Sequence, residues 1–477
     1  MKRIFLFFIM ISFICLSGCG GIIPTSYTIT STAGAGGSVT PTGVINVTEG
    51  GSQTFTITPD SCSQINDVLV DGISEGLITT YTFTDVQENH TIQVSFVVIP
   101  GPRVLNTTTG ATYTTIQAAI NASLAGDTLI ACPATYYENI IFDNKNITLQ
   151  STDPLNPSTV AATIIRGTAS DSVVKFTGGD TSTLEGFKIT NGNAIYRGGG
   201  IYITNSSSPT INNNTITGNT ASNAGGGICI LISSSPTITS NTIENNTAGY
   251  GGGIYANFSS PIITGNTIIN NTVDYDGGGI YAYAYPLIIE DNTIASNIAD
   301  NYGGGICLEL SSSTITGNII SDNGANNKGG GIYMEDSSPT ISGNTITANI
   351  TIYYGGGIFL DNGNPTISDN NIEDNTAKYG GGIHVDHCSP TITNNAITGN
   401  SANLIGGGIF VSASSNLLPV DARPTGWDTF RQNIPIGVMV TLIPAEDVEY
   451  TIAGNTFLGN EHGAPLGYSE GAHVYFF

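Results

Sequence analysis

Residues 251–271 read Gly-Gly-Gly-Ile-Tyr-Ala-Asn-Phe-Ser-Ser-Pro-Ile-Ile-Thr-Gly-Asn-Thr-Ile-Ile-Asn-Asn, and this stretch returns with small changes along half of the chain. The isoleucine that closes each Gly-Gly-Gly-Ile motif recurs every 25 to 27 residues, at Ile201, Ile228, Ile254, Ile280, Ile306, Ile332, Ile358, Ile383 and Ile409. A fixed period in this range indicates a solenoid, because one repeat cannot bury its apolar side until its neighbours stack on it.

Aligned copies of the repeat share three further apolar columns. Two of them are isoleucine columns, at Ile211, Ile238, Ile263, Ile289, Ile315, Ile341, Ile367, Ile392 and Ile452, and at Ile216, Ile243, Ile268, Ile294, Ile320, Ile346, Ile372, Ile397 and Phe457. The third lies two residues after the motif isoleucine, at Ile203, Ile230, Ala256, Ala282, Leu308, Met334, Leu360, Val385 and Val411. Spacing by two places both residues on one face of a strand, so the repeat is predicted to consist of short strands with these side chains inside.

Two asparagine columns accompany the isoleucines. They comprise Asn214, Asn241, Asn266, Asn292, Asn318, Asn344, Asn370, Asn395 and Asn455, and Asn219, Asn246, Asn271, Asn297, Asn323, Asn349, Asn375, Asn400 and Asn460. Asparagine tolerates the left-handed backbone that a corner needs, and its amide both donates and accepts hydrogen bonds. We therefore expect asparagines at the corners, bonded to one another along the solenoid axis. The glycine triplets are expected at another corner.

Strands, corners and a period near 26 residues predict an all-β chain: a right-handed parallel β-helix of about a dozen coils, preceded by a small β domain. From about Pro102 to the C-terminus, the repeats resemble the right-handed parallel β-helix, or pectin-lyase-like, superfamily. That superfamily contains carbohydrate-active and carbohydrate-binding proteins. The pairing of Gly-Gly-Gly-Ile with the asparagine motif also resembles the repeats of polymorphic outer-membrane adhesins.

The first residues resemble a bacterial lipoprotein signal. Lys2 and Arg3 precede an apolar run, and Leu16-Ser17-Gly18 stand before Cys19. We expect residues 1–18 to be a signal peptide, with Cys19 lipidated and residues 19–26 forming a linker. The run is too short to span a membrane. A lipoprotein signal implies an extracytoplasmic, membrane-anchored protein at the cell surface or outer membrane. The alternative is an ordinary cleaved signal with a chance cysteine.

Residues 27–98 are predicted to form a separate β module, since alternating apolar segments are separated by turn residues. The segments are Tyr27–Thr30, Gln53–Ile57, Val68–Val70, Tyr81–Thr84 and Thr91–Phe96. They resemble a divergent internalin-type B-repeat, in which Cys62-Ser63 replaces the usual glycine-aromatic pair. The resemblance implies a spacer or a weak binding module.

The β-helix is predicted over residues 102–477, with an N-terminal cap at 102–140 and regular repeats at 198–411. The cap includes a helix over Tyr113–Ala122. Residues 416–450 interrupt the period, and 451–477 hold the last coil and the C-terminal end. The insertion contains Trp427 and an apolar tract, so it is either a C-terminal cap, which the tract favours, or a functional loop.

Five cysteines remain after Cys15 and Cys19 are set aside. They are Cys62, Cys132, Cys229, Cys307 and Cys388. Cys229 and Cys307 share a column but lie three coils apart, roughly 14 Å, which is too far for a disulfide. We expect the five to be free or buried thiols without a metal.

The outward positions of the Gly-Gly-Gly-Ile strand provide the candidate site. One residue past the isoleucine come aromatic side chains, and three residues past it come acidic ones. The candidate catalytic residues are Glu309, Glu335, Asp361, Asp386 and His384. The candidate substrate-binding residues are Tyr255, Tyr281, Tyr333, Phe359 and Trp427. Carboxylates about 4.8 Å apart on adjacent coils could hold Ca²⁺ at Glu335, Asp361 and Asp386 or act in a glycosidase or lyase. No other cofactor is indicated.

The composition of the chain narrows the classes of ligand that it could bind. Twelve basic residues against 36 acidic ones give a net charge of −24, which should repel nucleic acid and polyanions unless Ca²⁺ bridges them. The Gly-His-Gly and Arg-x-Lys motifs of polygalacturonases and the Arg-x-Pro-x-x-Arg motif of pectate lyases are absent. The leading hypothesis is a surface-anchored lipoprotein that binds, and could cleave, a neutral or mixed polysaccharide. The opposing hypothesis is a non-enzymatic adhesin or structural stalk, and the sequence leaves the oligomeric state open.

Overall fold

The computed structural model describes residues 25–412, 438–441 and 451–462. The signal segment with Cys19, Trp427 and most of the insertion at 416–450 lie outside the described residues. The chain divides into two compact units between Pro100 and Gly101.

The N-terminal unit contains two sheets around one core. A mixed five-stranded sheet has the order Gly43–Thr48, Ser26–Ala33, His90–Val98, Ser63–Val70 and Ile73–Ser74. An antiparallel three-stranded sheet has the order Gly37–Thr40, Gln53–Pro59 and Thr80–Phe83. Alternate residues of these strands, among them Ile29, Phe55 and Ile92, are fully buried. All five predicted segments coincide with strands, and the likeness to a B-repeat stays a prediction.

The second unit is a β-solenoid with four sheets, and each regular coil contributes one strand to each of them. The first isoleucine sheet comprises Thr112–Tyr113, Val104–Asn106, Thr128–Ala131, Thr148–Ser151, Thr183–Glu185, Thr210–Asn212, Thr237–Thr239, Ile262–Thr264, Ile288–Glu290, Thr314–Thr316, Thr340–Ser342, Thr366–Ser368, Thr391–Thr393 and Thr451–Ala453. The second isoleucine sheet comprises Thr135–Tyr137, Ile164–Arg166, Lys188–Thr190, Thr215–Thr217, Thr242–Glu244, Thr267–Ile269, Thr293–Ala295, Ile319–Ser321, Thr345–Thr347, Asn371–Glu373, Ala396–Thr398 and Thr456–Leu458.

The other two sheets complete each coil. The short-strand sheet comprises Asn193–Ala194, Thr220–Ala221, Thr247–Ala248, Thr272–Val273, Ile298–Ala299, Gly324–Ala325, Ile350–Thr351, Thr376–Tyr379, Ser401–Ile405 and Glu461–His462. The glycine-triplet sheet comprises Ile140–Asp143, Val174–Thr177, Ile201–Ile203, Ile228–Leu231, Ile254–Asn257, Ile280–Tyr283, Ile306–Glu309, Ile332–Glu335, Ile358–Gly363, Ile383–Cys388, Ile409–Ser412 and Val438–Thr441. Coil pairs with parallel, in-register strands confirm the predicted parallel β-helix.

The isoleucine columns fill the inside of the solenoid. Ile254, Ile263 and Ile268, one from each of three sheets, are fully buried, as are their counterparts in the neighbouring regular coils. They belong to one continuous core that extends from Val104 to Val411. The period of the sequence therefore fixes which side chains lie inside.

The asparagines form two axial ladders, as expected, but they do not occupy the left-handed position. The Nδ2 group of Asn318 donates to Oδ1 of Asn344 at 2.9 Å and to the carbonyl oxygen of Ile289 at 2.9 Å. The left-handed residue is the one before each ladder asparagine, such as Gly317 or Asp291. This corrects the sequence expectation. The position before the asparagine accepts glycine, aspartate, serine, asparagine and, at Ala348, alanine, whereas the ladder itself requires a buried amide.

The glycine triplets lie where coils approach most closely. The first glycine of each has a positive φ, for example 58° at Gly251. A Cβ atom on the second, Gly252, would stand 2.6 Å from the carbonyl oxygen of Gly278, and one on Gly253 would stand 2.6 Å from that of Gly279. The second and third glycines are therefore required by contact between coils.

The N-terminal cap contains a helix over Ile116–Ala122. Thr115 caps it, because its side chain accepts a hydrogen bond from the amide of Ala118. The helix begins three residues later than predicted, since Tyr113 pairs with Val104 in a strand. A second helix over Pro157–Ala162, capped by Asn156, was not predicted. No helix among the described residues has the length and apolarity needed to cross a membrane.

The cysteines follow the expectation only in part. Cys229, Cys307 and Cys388 are free and buried, as predicted. Cys62 and Cys132, however, are disulfide-bonded, so the prediction of free thiols at these two positions is wrong. The sequence contains no short-range pairing pattern that would have indicated disulfide bonding at either cysteine.

Candidate functional site

The outer face of the glycine-triplet sheet is built from three parallel rows of side chains. The floor row lies one residue past the motif isoleucine and comprises Tyr202, Cys229, Tyr255, Tyr281, Cys307, Tyr333, Phe359, His384 and Phe410. The acid row lies two residues further and comprises Glu309, Glu335, Asp361 and Asp386, which are register partners on successive coils. The wall row lies directly before each triplet and comprises Arg197, Ala224, Tyr250, Asp276, Tyr302, Lys328, Tyr354, Tyr379 and Ile405.

Apart from the half-buried Tyr202, the floor-row rings are buried, although they point away from the central core. Tyr255 stacks on Tyr281 at 5.1 Å between ring centroids, and Tyr333 stacks on Phe359 at 5.7 Å. Wall-row rings cover them, and Tyr333 and Phe359 are each only 1% exposed. Stacking of a sugar on Tyr255, Tyr281, Tyr333 or Phe359 is therefore blocked in this structure. Alternation along a strand predicted their direction correctly, but it does not reveal what the preceding loop places over them.

The acid row is tied to the floor row by hydrogen bonds. The hydroxyl of Tyr281 donates to Oε2 of Glu309 at 2.8 Å, and that of Tyr333 donates to Oε2 of Glu335 at 3.0 Å. Burial raises the pKa of Glu309, and the neighbouring Glu335 carboxylate acts in the same direction. The tyrosines therefore hold the carboxylates in fixed positions along the face.

Asp276 is a site residue that the sequence analysis did not identify. It is 7% exposed in the wall row, and its Oδ1 accepts hydrogen bonds from Asn301 Nδ2 and the Tyr302 amide, each at 3.0 Å. Burial raises its pKa to about 6, and the Glu309 carboxylate adds to the increase. Asp276 and Glu309 thus form a pair of electrostatically coupled carboxyl groups with raised pKa values. Its position directly before a glycine triplet was the available signal.

Lys328 is the second missed residue, and it neutralises part of the acid row. Its Nζ atom lies 3.1 Å from Oδ2 of Asp361 and 4.4 Å from the ring centroid of Phe359. The ammonium group therefore bridges the wall row and the acid row above a buried ring.

One group of possible metal ligands occurs among the described residues: Asp361, Asp386 and His387, whose ligand atoms lie within 4.8 Å of one another. His387 Nδ1 is 2.9 Å from Oδ1 of Asp386. Glu335, which was predicted to share a Ca²⁺ with the two aspartates, is not in this group. This ligand set includes the imidazole of His387 and lies beside the ammonium group of Lys328. It therefore fits Ca²⁺ less well than three carboxylates would.

His384 is 2% exposed, and its Nε2 atom lies 2.9 Å from the hydroxyl of Ser412. That hydroxyl donates to Oδ1 of Asp386 at 3.1 Å. Burial lowers the pKa of His384 to about 3, so the imidazole is neutral at physiological pH. The structure therefore links His384 to Asp386 through Ser412, but leaves it covered by rings.

Exposed aromatic rings flank the three rows on both sides. Tyr275, 51% exposed, stacks on Tyr250 at 4.9 Å. Phe258, 50% exposed, contacts Tyr285, 45% exposed, at 5.8 Å on the acid-row side. Tyr353, 42% exposed, lies beside the wall row. These four rings are open to a ligand, whereas the floor-row rings of Tyr255, Tyr281, Tyr333 and Phe359 are not.

A family model described as "Right handed beta helix region" matches residues 150–298 and 264–421, which together span more than half of the chain. No curated protein matches the chain. Two solved structures are similar over most of their length. The catalytic unit of a thermostable GH87 α-1,3-glucanase from Streptomyces thermodiastaticus strain HF3-3 is 14% identical, with a TM-score of 0.45, over 87% of this chain and 90% of that one.

The second structure is the A-module of the mannuronan C-5 epimerase AlgE6 from Azotobacter vinelandii. It is 14% identical, with a TM-score of 0.35, over 74% of this chain and 95% of that one. At these scores and identities neither likeness bears on what the present chain binds.

Proposed function

The chain belongs to the right-handed β-helix family, and on that premise we propose that it binds polysaccharide along the outer face of its glycine-triplet sheet. The observation that carries this proposal is the placement of exposed rings on both sides of a fixed row of carboxylates. Tyr275 and Tyr353 lie on one side, and Phe258 and Tyr285 lie on the other. Aromatic faces stack on sugar rings, while carboxylates and tyrosine hydroxyls accept and donate the hydrogen bonds of sugar hydroxyls.

The geometry of the strands suits an extended ligand. The acid row continues in register over four coils, which spans about 14 Å at the usual spacing of parallel strands. Each carboxylate is held by a neighbour, as with Tyr281 and Glu309, so little side-chain entropy is lost on binding. A linear glycan that runs parallel to the solenoid axis meets a repeated set of contacts.

Cleavage of the bound glycan is a second proposed activity, favoured by Asp276 and Glu309. A carboxyl group with a pKa near 6 can donate a proton at neutral pH, and a second carboxylate can act as base or nucleophile. The two groups lie in different rows that flank the floor row. Hydrolysis that is lost in Asp276→Asn while binding is retained supports this role.

Attachment to a membrane through lipid on Cys19 remains part of the proposal. The residues before Cys19 support it, and along the chain the β module at 27–98 lies between Cys19 and the β-helix. The competing proposal is a non-enzymatic adhesin or stalk, in which the rows only hold coils together.

The test is binding of the mature chain to a glycan array with and without Ca²⁺, together with a Glu335→Ala/Asp361→Ala variant. We expect binding to one class of neutral or mixed glycan, and its loss in the variant. The Ca²⁺ comparison decides whether the predicted ion contributes.

A matched control removes one acid from each isoleucine sheet, in a Glu290→Ala/Glu373→Ala variant. We expect this control to bind as the wild type does. Absence of binding by folded wild-type protein, or equal binding by both variants, refutes the site and favours the adhesin or stalk.

A further inference from the structure

The first coils of the β-helix contain a cleft that the proposed acid-row site does not include. Its volume is about 670 Å³, and charged and aromatic residues contribute to its lining: Asp171, Lys175, Tyr196, Arg197 and Tyr202. Ser170, Ser172 and Asn223 supply further polar groups. The chain has only 12 basic residues, and two of them meet here.

The cleft is the N-terminal end of the same outer face. Lys175 is the register partner of Tyr202, so it lies one coil before the floor row, and Arg197 is the first residue of the wall row. Burial raises the pKa of Tyr255, and the charge of Arg197 acts on it in the opposite direction. The guanidinium group therefore lies near the floor row that leads to the acid row.

The two cationic side chains differ in their partners: Lys175 forms an ion pair, whereas Arg197 does not. Lys175 is paired with Asp171. Arg197 makes one long hydrogen bond, 3.4 Å from its Nε to Oδ1 of Asn223, and its terminal amino groups have no hydrogen-bond partner among the described residues. A guanidinium edge of this kind matches the two oxygens of a carboxylate or sulfate.

We propose that this cleft is a subsite for an isolated acidic sugar of the glycan, recognised by Arg197 and Lys175 with Tyr196 and Tyr202 beside the sugar ring. This inference rests on the proposed glycan binding and specifies its ligand. The net charge of −24 repels a polyanion at long range, whereas the cleft presents one uncompensated positive charge. A mostly neutral glycan that carries sparse acidic groups avoids the long-range repulsion and still supplies a negative group for the cleft.

The spacing sets a minimum length for such a ligand. Tyr202 and Glu309 are four coils apart in the glycine-triplet sheet, which corresponds to about 19 Å along the axis. A glycan that contacts both ends of the face must extend over that distance. Short acidic sugars should therefore bind more weakly than oligosaccharides that also reach the acid row.

The experiment uses an array of matched oligosaccharides on the full chain: neutral backbones, the same backbones with one uronic acid or one sulfate ester, and oligouronates. We expect the singly acidic members to bind best. Arg197→Gln should weaken their binding about tenfold or more and leave neutral members unchanged, because a hydrogen bond to a charged group is lost. Lys175→Gln should act in the same direction.

Arg166→Gln is the matched control, since Arg166 is exposed on the second isoleucine sheet. Equal binding of neutral and singly acidic members with no effect of Arg197→Gln overturns the subsite but leaves glycan binding intact. Preference for the oligouronates overturns the requirement for sparse charge. Absence of binding to every member overturns glycan binding and the subsite together.

Discussion

Asn318 illustrates how one side chain joins three coils. Its Nδ2 group donates to Asn344 and to the carbonyl of Ile289, and its Oδ1 accepts from the amide and Nδ2 of Asn292. Asn318→Ala leaves several buried groups without partners, so we expect a loss of about 3 kcal/mol or more in the free energy of unfolding. Urea denaturation measures it. Asn326→Ala, at an exposed position, should change it by less than about 0.5 kcal/mol. Similar values for both variants would contradict a structural role of the ladder.

Asp276 predicts a pH dependence of stability. Its pKa is raised from 3.8 to about 6, so its contribution to stability is complete below about pH 3.8 and is lost as the pH rises through about 6. Asp276→Asn removes the charge that burial opposes. We expect the variant to equal the wild type near pH 4 and to exceed it by about 2 kcal/mol at pH 7.5, with allowance for solvent screening.

The measurement is the free energy of unfolding of both proteins at several pH values. Asp300→Asn, which removes an exposed acid, should differ from the wild type by a constant amount. A pH-independent difference for Asp276→Asn would show that the pKa of Asp276 is the same in the folded and the unfolded protein, which would contradict the raised value.

At the scale of elements, a glycine before a ladder asparagine and the second glycine of a triplet should differ in the stability lost when each is replaced by alanine. Gly343 has a φ of 66° and open space around a would-be Cβ, so Gly343→Ala should cost only the left-handed strain of about 1 to 2 kcal/mol. A Cβ on Gly356 would stand 2.5 Å from the carbonyl oxygen of Gly381. Gly356→Ala should therefore cost at least about 3 kcal/mol or prevent folding. Denaturation midpoints of the two variants compare them, and equal losses would contradict the contact between coils.

The strands and the inner columns were predictable because their periods, two within a strand and about 26 along the chain, depend on backbone geometry alone. The corners were less so: the residue before Asn318 takes the left-handed conformation, and several residue types are accepted there. The candidate site was predicted only in outline. Its direction follows from alternation, but the burial of Tyr333 and the roles of Asp276 and Lys328 depend on the loop before each triplet, whose path is not periodic in apolar residues.

For the whole molecule, the net charge of −24 is concentrated in part on one face, where acidic residues follow one another on adjacent coils. Lys328 compensates Asp361, while Glu309 and Glu335 remain close to each other and form no ion pair with a basic side chain among the described residues. Salt screens such repulsion over about 10 Å at 0.1 M. We therefore expect the melting temperature at pH 7.5 to rise by roughly 2 °C or more between 10 and about 200 mM NaCl.

The origin of this salt effect can be assigned with two triple variants. Glu309→Gln/Glu335→Gln/Asp386→Asn keeps acceptors for the tyrosine and serine hydroxyls but removes three charges from the acid row. It should melt higher than the wild type in low salt and respond less to NaCl. Glu244→Gln/Glu290→Gln/Glu373→Gln removes the same charge from the two isoleucine sheets, where the register partners of these acids are not acidic. An equal loss of salt response in both variants would mean that total charge, and not stacking of carboxylates on successive coils, governs the salt dependence of stability.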